Sequence, residues 1–452
     1  MPPTGDTRPR VVVAARELHP FCGGGIAPVV AALARTLSAA CAVTLITSDR
    51  HRDAWEELGR PDFYGDGVEV LFAAEPRDPA ETGFLAGAQA WSAALYAAIT
   101  ERFADGGGPD LIEFADYLAE GFVTLQARRT GDPTLAATRI VVRAHTTAEM
   151  VSVLDGALAD DLQTRVVLDM ERYCLRHADR LLTPGGDIRA SYERFYGTDA
   201  LAPSATVLDA FERGFDALPP AGRPPSGGLR LLVLGGLERR KGPQLLVRAL
   251  RSCERDEWRV TFMGGDTDTA PLGLSMRDWL RAATAGDERF AFRDAVPRRE
   301  VGREIAEHDL VVVPSLWECW PNTVREAYAH GRPVLATPVG GLTELVEHEV
   351  TGWLASAATP DALREALAPL LGAPETVRAL HDAPALAAAL GRLDDPDRLR
   401  EDYARLTGLP RPAVTPPWEE PPLVSVVVPY FRMSRHLGAT LECIRAQTWP
   451  AI

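Results

Sequence analysis

The chain has 452 residues but almost no lysine or asparagine. Lys241 is its only lysine and Asn322 its only asparagine, and the other 47 of its 48 basic residues are arginine. Because the composition avoids both residue types so strongly, we expect Lys241 and Asn322 to mark sites where arginine or aspartate could not replace them. For either residue taken alone, the alternative explanation is that its occurrence is due to chance and has no functional meaning.

Cysteine is also scarce, and its placement excludes two classes of protein. The six cysteines stand at positions 22, 41, 174, 253, 319 and 443, with no paired spacing. This pattern predicts reduced thiols, and therefore a cytoplasmic protein with neither a disulfide framework nor a zinc site. No apolar run reaches 18 residues, and the first ten residues lack the apolar core of a signal peptide. We therefore expect no transmembrane segment and no secretion signal.

The chain lacks an excess of positive charge as well. Its net charge is −15, from 63 acidic and 48 basic residues. Such a chain repels nucleic acid, so no nucleic-acid partner is expected. A peripheral contact with a membrane would require a local basic patch. Apolar residues make up 46% and charged residues 25%, which is typical of a globular protein and excludes a disordered one.

Short, continuous apolar runs dominate the pattern and predict buried parallel strands alternating with helices. Runs that are apolar on both faces fit strands covered on both sides, as in doubly wound α/β folds. The predicted strands are Arg10–Ala15, Val43–Thr47, Val68–Phe72, Leu111–Phe114, Ile140–Ala144, Arg180–Thr183, Leu229–Leu234, Arg259–Met263, Phe290–Arg293, Leu310–Pro314 and Pro333–Thr337.

Two proline-rich stretches divide the pattern into domains. The first, 217–228, has four prolines and three glycines in twelve residues; the second, 409–422, has six prolines in fourteen. We therefore predict Rossmann-like domains over residues 1–216 and 229–408, the second with trailing helices, and a short α/β piece over 423–452. Both large domains begin with a strand, which is followed by a glycine-containing loop and a helix. We therefore expect a ligand cleft between the strand ends of the two domains.

The segment 310–353 has the highest density of candidate functional residues. A loop with Glu318 follows a strand, and a helix then begins near Asn322 or Thr323, with Asn322 as a good N-cap. Such a helix start suits a phosphate, and Glu326 lies one turn further on. The alternative is structural: Thr323 and Glu326 satisfy the capping-box pattern, and Glu318 is then a solvated loop residue.

This segment closely resembles the signature of retaining glycosyltransferases of family 4, which have the GT-B fold. The matching residues are Pro314, Ser315, Glu318, Pro321, Asn322, Glu326, Ala327, Gly331, Pro333, Val334, Gly340, Gly341 and Glu344. A weaker resemblance covers residues 10–390. It implies two Rossmann-like domains facing a cleft. It also implies that Glu318 binds hydroxyls of a donor sugar and Glu326 the ribose hydroxyls of its nucleotide, a suitable task for carboxylates.

The loop 233–246 resembles the opening of that family's second domain, in which an arginine and a lysine five residues later bind the donor diphosphate. The lysine matches Lys241, just before a predicted helix. The arginine position is Gly236 here, which leaves one phosphate contact in question, with Arg239 and Arg240 as the candidates to replace it. The alternative for Lys241 is a solvated side chain in a charged loop.

Two further features lie at strand ends in the first domain. The glycine-rich loop 21–25 lacks dinucleotide-binding spacing; without the resemblance it is only a tight turn. In the resembled family this loop approaches the donor phosphates and the acceptor, which implicates Gly24 and Gly25. His145 follows a strand, where the family has a histidine near the transferred sugar, although a lone histidine is usually structural.

The resemblance implies a retaining glycosyltransferase that uses a nucleotide-diphosphate-sugar as donor substrate and needs no further cofactor. The acceptor would be a hydroxyl group of a glycan, a lipid-linked or a small molecule. We single out no carboxylate cluster as a metal site and therefore expect no metal, with Lys241 and backbone amides stabilising the leaving diphosphate. The alternatives are a sugar-nucleotide epimerase or hydrolase and a catalytically silent sugar-nucleotide-binding protein.

The last 30 residues resemble the start of family 2 glycosyltransferases, which have the GT-A fold. The match is a strand at Val424–Val428, a helix over 436–447 and the tetrapeptide at 447–450. Because the metal-binding DxD of that fold is absent, we expect this fragment to be inactive and to come from a two-transferase protein.

Overall fold

Two parallel β-sheets covered by helices organise the molecule. The computed structural model describes residues 7–21, 24–59, 64–65, 67–76, 83–105, 107–157, 159–211, 227–255, 257–410, 423–428 and 434–445. Within those ranges, no helix is both long and apolar enough to cross a membrane. The predicted linker 217–228 falls outside the described residues except for its last two glycines, as does the linker 409–422 except for its first two residues.

The first sheet has seven strands in the order β3-β2-β1-β4-β5-β6-β7, all parallel. The strands are β1 Arg10–Ala14, β2 Ala42–Ser48, β3 Val68–Ala73, β4 Leu111–Ala115, β5 Arg139–Arg143, β6 Arg180–Thr183 and β7 Ser204–Thr206. The order reverses between β1 and β4, where an open α/β sheet forms its ligand crevice.

The second sheet repeats this plan with six parallel strands in the order β10-β9-β8-β11-β12-β13. The strands are β8 Leu229–Leu234, β9 Trp258–Met263, β10 Phe290–Arg293, β11 Leu310–Val313, β12 Val334–Ala336 and β13 Gly352–Leu354. The reversal between β8 and β11 puts the loop that contains Lys241 next to the loop that contains Glu318.

Helices cover both faces of the sheets. In the first half they are α1 Ile26–Ser38, α2 Arg52–Leu58, α3 Gly87–Arg102, α4 Phe122–Arg129, α5 Ala148–Asp155, α6 Leu162–His177 and α7 Gly186–Tyr196. In the second half they are α8 Pro243–Arg251, α9 Met276–Ala283, α10 Arg298–Ala306, α11 Asn322–Ala329, α12 Leu342–Leu345, α13 Pro360–Gly372, α14 Pro374–Arg378, α15 Pro384–Leu393 and α16 Pro396–Gly408. Several of these begin at proline, which lacks only an N–H that has no partner in the first turn.

The central strands are buried along their whole length. Every residue of β4, β5 and β11 is buried, as continuous apolar runs predict for strands covered on both faces. The predicted two-sheet α/β architecture is therefore confirmed. The edge strands β7 and β13 were not predicted, because three residues are too few to produce a pattern.

The helix α16, predicted as a trailing part of the second domain, packs on the first. Leu399 and Leu406 join the apolar cluster beneath α1. The Tyr403 hydroxyl accepts a hydrogen bond of 3.0 Å from Arg143, which itself forms a buried ion pair with Glu113. The chain thus crosses back over the cleft and links its two halves a second time.

The terminal segment departs from its prediction. Residues 423–428 form no strand and are mostly exposed, whereas the predicted helix is present as α17, Ser434–Arg445. An isolated strand has no neighbour to satisfy its backbone hydrogen bonds, which explains why the predicted strand at Val424–Val428 is wrong.

Candidate active site between the two sheets

The predicted site residues lie on loops that meet where the carboxyl ends of the two sheets face each other. Trp317 Nε1, beside Glu318, donates a hydrogen bond of 3.2 Å to the Thr146 hydroxyl, beside His145. Asn322 Nδ2 donates one of 3.3 Å to the carbonyl oxygen of Gly25. These contacts bring three sequence motifs from distant parts of the chain to one place: the segment 310–353, the strand end at His145 and the glycine loop.

Lys241 and Glu318 form the central ion pair. The lysine Nζ lies 2.7 Å and 2.8 Å from the two carboxylate oxygens, and Ser315 donates a further hydrogen bond of 2.8 Å. Burial alone would raise the pKa of Glu318, but Lys241 and then Arg240 outweigh it and hold the pKa below its ordinary value. Glu318 is therefore an ionised, buried residue, and the solvated-loop alternative is wrong.

Arg240 is engaged by acidic neighbours. Its backbone N–H donates a hydrogen bond of 2.7 Å to Asp155, at the end of α5, and its guanidinium lies 2.6 Å from Glu238. A Cβ built on Gly236 would lie 2.5 Å from Oε1 of Glu238, so that carboxylate occupies the space beside the position where the resembled family has arginine. A role of Arg240 in donor binding remains a prediction.

The start of α11 differs from its prediction. Pro321 is the N-cap and Asn322 is the first helical residue. Asn322 does not cap its helix, because its amide is held by Gly25 on one side and by the buried guanidinium of Arg325, 2.5 Å from Oδ1, on the other. The half-buried Thr323 follows it at the helix start. Asn322 thus joins the two domains rather than stabilising its own helix.

Glu326 is buried and pairs with a residue that the sequence analysis missed. Its carboxylate accepts a short hydrogen bond from Arg298, the first residue of α10, instead of turning back to its own helix start as the capping-box alternative would require. A cation at a helix N-terminus opposes the helix dipole. An arginine in that position was therefore a usable signal that a carboxylate lies nearby.

The glycine loop of the first domain is described from Gly24 onward; Cys22 and Gly23 lie outside the described residues. Gly24 has φ of +147°, and a Cβ there would lie 2.9 Å from Oε2 of Glu17. Only glycine fits this conformation in that space. Gly25 immediately precedes α1, so the exposed backbone of both glycines lies at a helix start.

His145 is half-buried, and its backbone is fixed from below. Its N–H donates a hydrogen bond of 2.9 Å to Asp116, which also accepts one of 2.5 Å from the hydroxyl of Tyr192. Burial raises the pKa of Asp116, while the charge of His145 opposes that shift. Asp116, at the end of β4, was not singled out from the sequence because a single aspartate after a strand is not distinctive.

The two halves match two models of glycosyltransferase domains. Residues 24–203 match the model described as "Glycosyl transferase 4-like domain", and residues 228–373 match "Glycosyl transferases group 1". Neither match reaches the terminal segment, so its resemblance to a GT-A enzyme remains a prediction. With the fold above, these matches define the chain as a glycosyltransferase of the GT-B type.

Curated relatives include D-inositol 3-phosphate glycosyltransferases. The protein from Nocardiopsis dassonvillei is 29% identical over 313 residues, which cover 66% of this chain and 71% of that one. The protein from Nocardia farcinica is 30% identical over 276 residues, covering 58% and 60%.

Solved structures agree on the fold. Sucrose-phosphate synthase from Thermosynechococcus elongatus superposes with a TM-score of 0.66 at 19% identity, over 88% of this chain and 98% of that one. The Anabaena protein HepE, solved in complex with UDP-glucose, gives a TM-score of 0.61 at 16% identity, over 88% and 100%.

Proposed function

We propose that this enzyme transfers a sugar from a nucleotide-diphosphate-sugar to a hydroxyl acceptor, with retention of the anomeric configuration and without a metal ion. The observation that supports it most strongly is the pairing of the only lysine with Glu318 in the cleft. A mobile ammonium beside a buried carboxylate can exchange that partner for a diphosphate, and the freed carboxylate can then accept hydrogen bonds from sugar hydroxyls.

The same geometry suggests the other roles. Glu326 would bind the ribose hydroxyls of the nucleotide, while Asn322 and Thr323 place the N–H groups of α11 close to the donor. Gly24 and Gly25 let the backbone approach the phosphates. In the transfer, the bond from C1 to the phosphate oxygen breaks, a bond from C1 to the acceptor oxygen forms on the same face, and the acceptor proton passes to the leaving phosphate. Lys241 stabilises the charge that develops there.

A uridine nucleotide is the first donor to test. HepE was solved with UDP-glucose, and the relatives named above are inositol-phosphate glycosyltransferases. The buried free thiols Cys41, Cys174 and Cys319 favour a reducing compartment, which supports action in the cytoplasm.

The test is a panel of nucleotide sugars scored by thermal shift and then by product analysis with and without acceptors. The proposal predicts that one donor raises the melting temperature and that its consumption requires an acceptor. If free sugar or an epimer forms without any acceptor, the transferase proposal is wrong and the hydrolase or epimerase alternative is correct. Donor binding with no product from any acceptor would indicate a silent binding protein.

A further inference from the structure

A cavity of about 280 Å³ opens in the first domain beside the candidate active site. It lies at the carboxyl ends of β1 and β4, at the crevice where the strand order reverses. Its wall includes Glu17, whose carboxylate lies against Gly24 and is influenced by the charge of His145, and Ile26, the first residue of α1. The cavity therefore adjoins the place where the sugar would be transferred.

Two carboxyl groups in this wall have an oxygen without a hydrogen-bond partner among the described residues. Glu120 is only 5% exposed; its Oε1 accepts hydrogen bonds from Arg16 N at 2.7 Å and Trp91 Nε1 at 3.0 Å, whereas its buried Oε2 accepts none. The buried Oε2 of Glu17 also has no hydrogen-bond partner among the described residues. Buried polar atoms are normally satisfied, so two such oxygens in one cavity point to a ligand that donates hydrogen bonds.

Both arginines of the same wall are already paired with a carboxylate. Arg16 and Arg50 both contact the buried carboxylate of Glu75, the second at 3.1 Å, and Ser48 donates a hydrogen bond of 2.5 Å to its other oxygen. These two guanidinium groups stand against the three carboxyl groups of Glu17, Glu75 and Glu120. Among the described residues, the wall therefore offers no guanidinium group that lacks a carboxylate partner and could hold a phosphate dianion.

We propose that this cavity binds the acceptor, and that the acceptor is an unphosphorylated polyol, a cyclitol or sugar, whose hydroxyls donate hydrogen bonds to Glu17 and Glu120. This rests on the proposed function and gives it an acceptor class. It separates this chain from the relatives named D-inositol 3-phosphate glycosyltransferases. Hydroxyls suit both oxygens because each can donate to one carboxylate while accepting from a neighbour.

The experiment uses the full chain with the donor found by thermal shift, and a panel of cyclitols and sugars, each beside its own monophosphate. The rate of nucleoside diphosphate release is measured for both members of each pair. The proposal predicts that the best acceptor is unphosphorylated, with kcat/KM at least about tenfold above that of its monophosphate. A monophosphate that is preferred, or a panel without any preference, overturns it.

Variants test whether the two carboxyl groups make the contact. Glu120→Gln keeps the carbonyl oxygen that Arg16 and Trp91 require and replaces only the oxygen without a partner. We expect the acceptor KM to rise about tenfold in this variant and in Glu17→Gln, since each loses a hydrogen bond to a charged or strongly polar group. The exposed Glu57→Gln is the control and should change nothing.

The donor thermal shift separates the two failures. If Glu17→Gln and Glu120→Gln both leave the acceptor KM unchanged while the donor still raises the melting temperature, the acceptor assignment falls and the proposed function stands. If no nucleotide sugar produces a shift or a product, both fall together. If Glu120→Gln fails to fold because Glu120 is the more buried residue, Glu17→Gln still tests the proposal.

Discussion

The carboxyl groups on the two walls of the cleft, formed by the first and the second domain, differ in whether a cation is paired with them. On the second domain, Glu318 and Glu326 are each paired with a cation, Lys241 and Arg298. On the first domain, Glu17 and Glu120 each have an oxygen without a hydrogen-bond partner among the residues that the structure describes. If the proposed roles hold, a charged donor must replace the ion pairs of the second domain, whereas the first domain offers carboxyl oxygens to an acceptor that donates hydrogen bonds.

This difference agrees with the charges of the two proposed ligands. A diphosphate brings two negative charges or more, so it can compete with Glu318 for the lysine, and the ion pair prevents Glu318 from remaining buried and unpaired in the free enzyme. A neutral polyol brings no charge, so it can be recognised only by groups that are still unsatisfied.

Lys241→Ala should reduce kcat by about 10²- to 10³-fold, because it removes the cation that stabilises the leaving diphosphate. The acceptor KM should change little. Steady-state kinetics with both substrates varied is the measurement, and Arg248→Ala, which removes an exposed cation from α8, is the control. A kcat reduced equally in the control would contradict the assignment.

Glu120 should make stability depend on pH. Burial raises its pKa from 4.5 to about 7, an effect that Trp91 and Arg16 oppose and Glu17 reinforces. The stabilising contribution of the protonated form is complete below pH 4.5 and is lost as the pH rises to about 7. The free energy of unfolding should therefore fall by about 3 kcal/mol over that range through this group.

Glu120→Gln removes this titration. The difference in unfolding free energy between wild type and variant, measured by urea denaturation at pH 4.5 and pH 7.5, should change by that amount in favour of the variant at the higher pH. A difference that is constant with pH would show that Glu120 titrates normally.

Glu326→Gln should weaken nucleotide binding by about tenfold, because an amide accepts from only one of two vicinal ribose hydroxyls. Isothermal titration with the nucleoside diphosphate measures it. The control is Glu347→Gln, a surface carboxylate 3.6 Å from Arg392. An unchanged affinity would leave Glu326 with only its structural pair to Arg298.

Thr323→Ala should have the smallest effect, about a threefold loss in donor affinity, as expected for one neutral hydrogen bond at the start of α11. Thr323→Ser keeps the hydroxyl and should bind the donor like the wild type. If both variants bind equally well, the hydroxyl does not contact the donor.

Much of the fold could be predicted from the sequence because buried parallel strands appear as continuous apolar runs, and all eleven predicted runs became strands of the two sheets. The edge strand Gly352–Leu354 could not, since three residues make no pattern. The strand predicted at Val424–Val428 fails for the opposite reason: the apolar pattern is present, but the described residues include no strand beside it.

The candidate site shows the same division between local and distant information. Spacing made Glu318 and Glu326 candidates, and the resemblance of their compact motif to the family 4 signature then assigned their roles. Their partners Lys241 and Arg298 lie 77 and 28 residues away, and only the fold brings them into contact. The prediction that Asn322 caps its helix failed because a contact from the first domain, at Gly25, holds its side chain instead.

Because the chain has a single lysine, the proposed exchange of Lys241 from Glu318 to the donor phosphates can be measured directly. Protein labelled with ¹⁵N and ¹³C in lysine alone has one lysine side-chain signal, from Lys241, which can be followed by NMR while the nucleoside diphosphate is added. The account predicts that this signal shifts to a new position at saturation as the ammonium leaves Glu318 for the phosphates, and that Glu318→Gln already moves it in the free protein. A signal that stays in place while thermal shift shows the nucleotide bound would contradict the account.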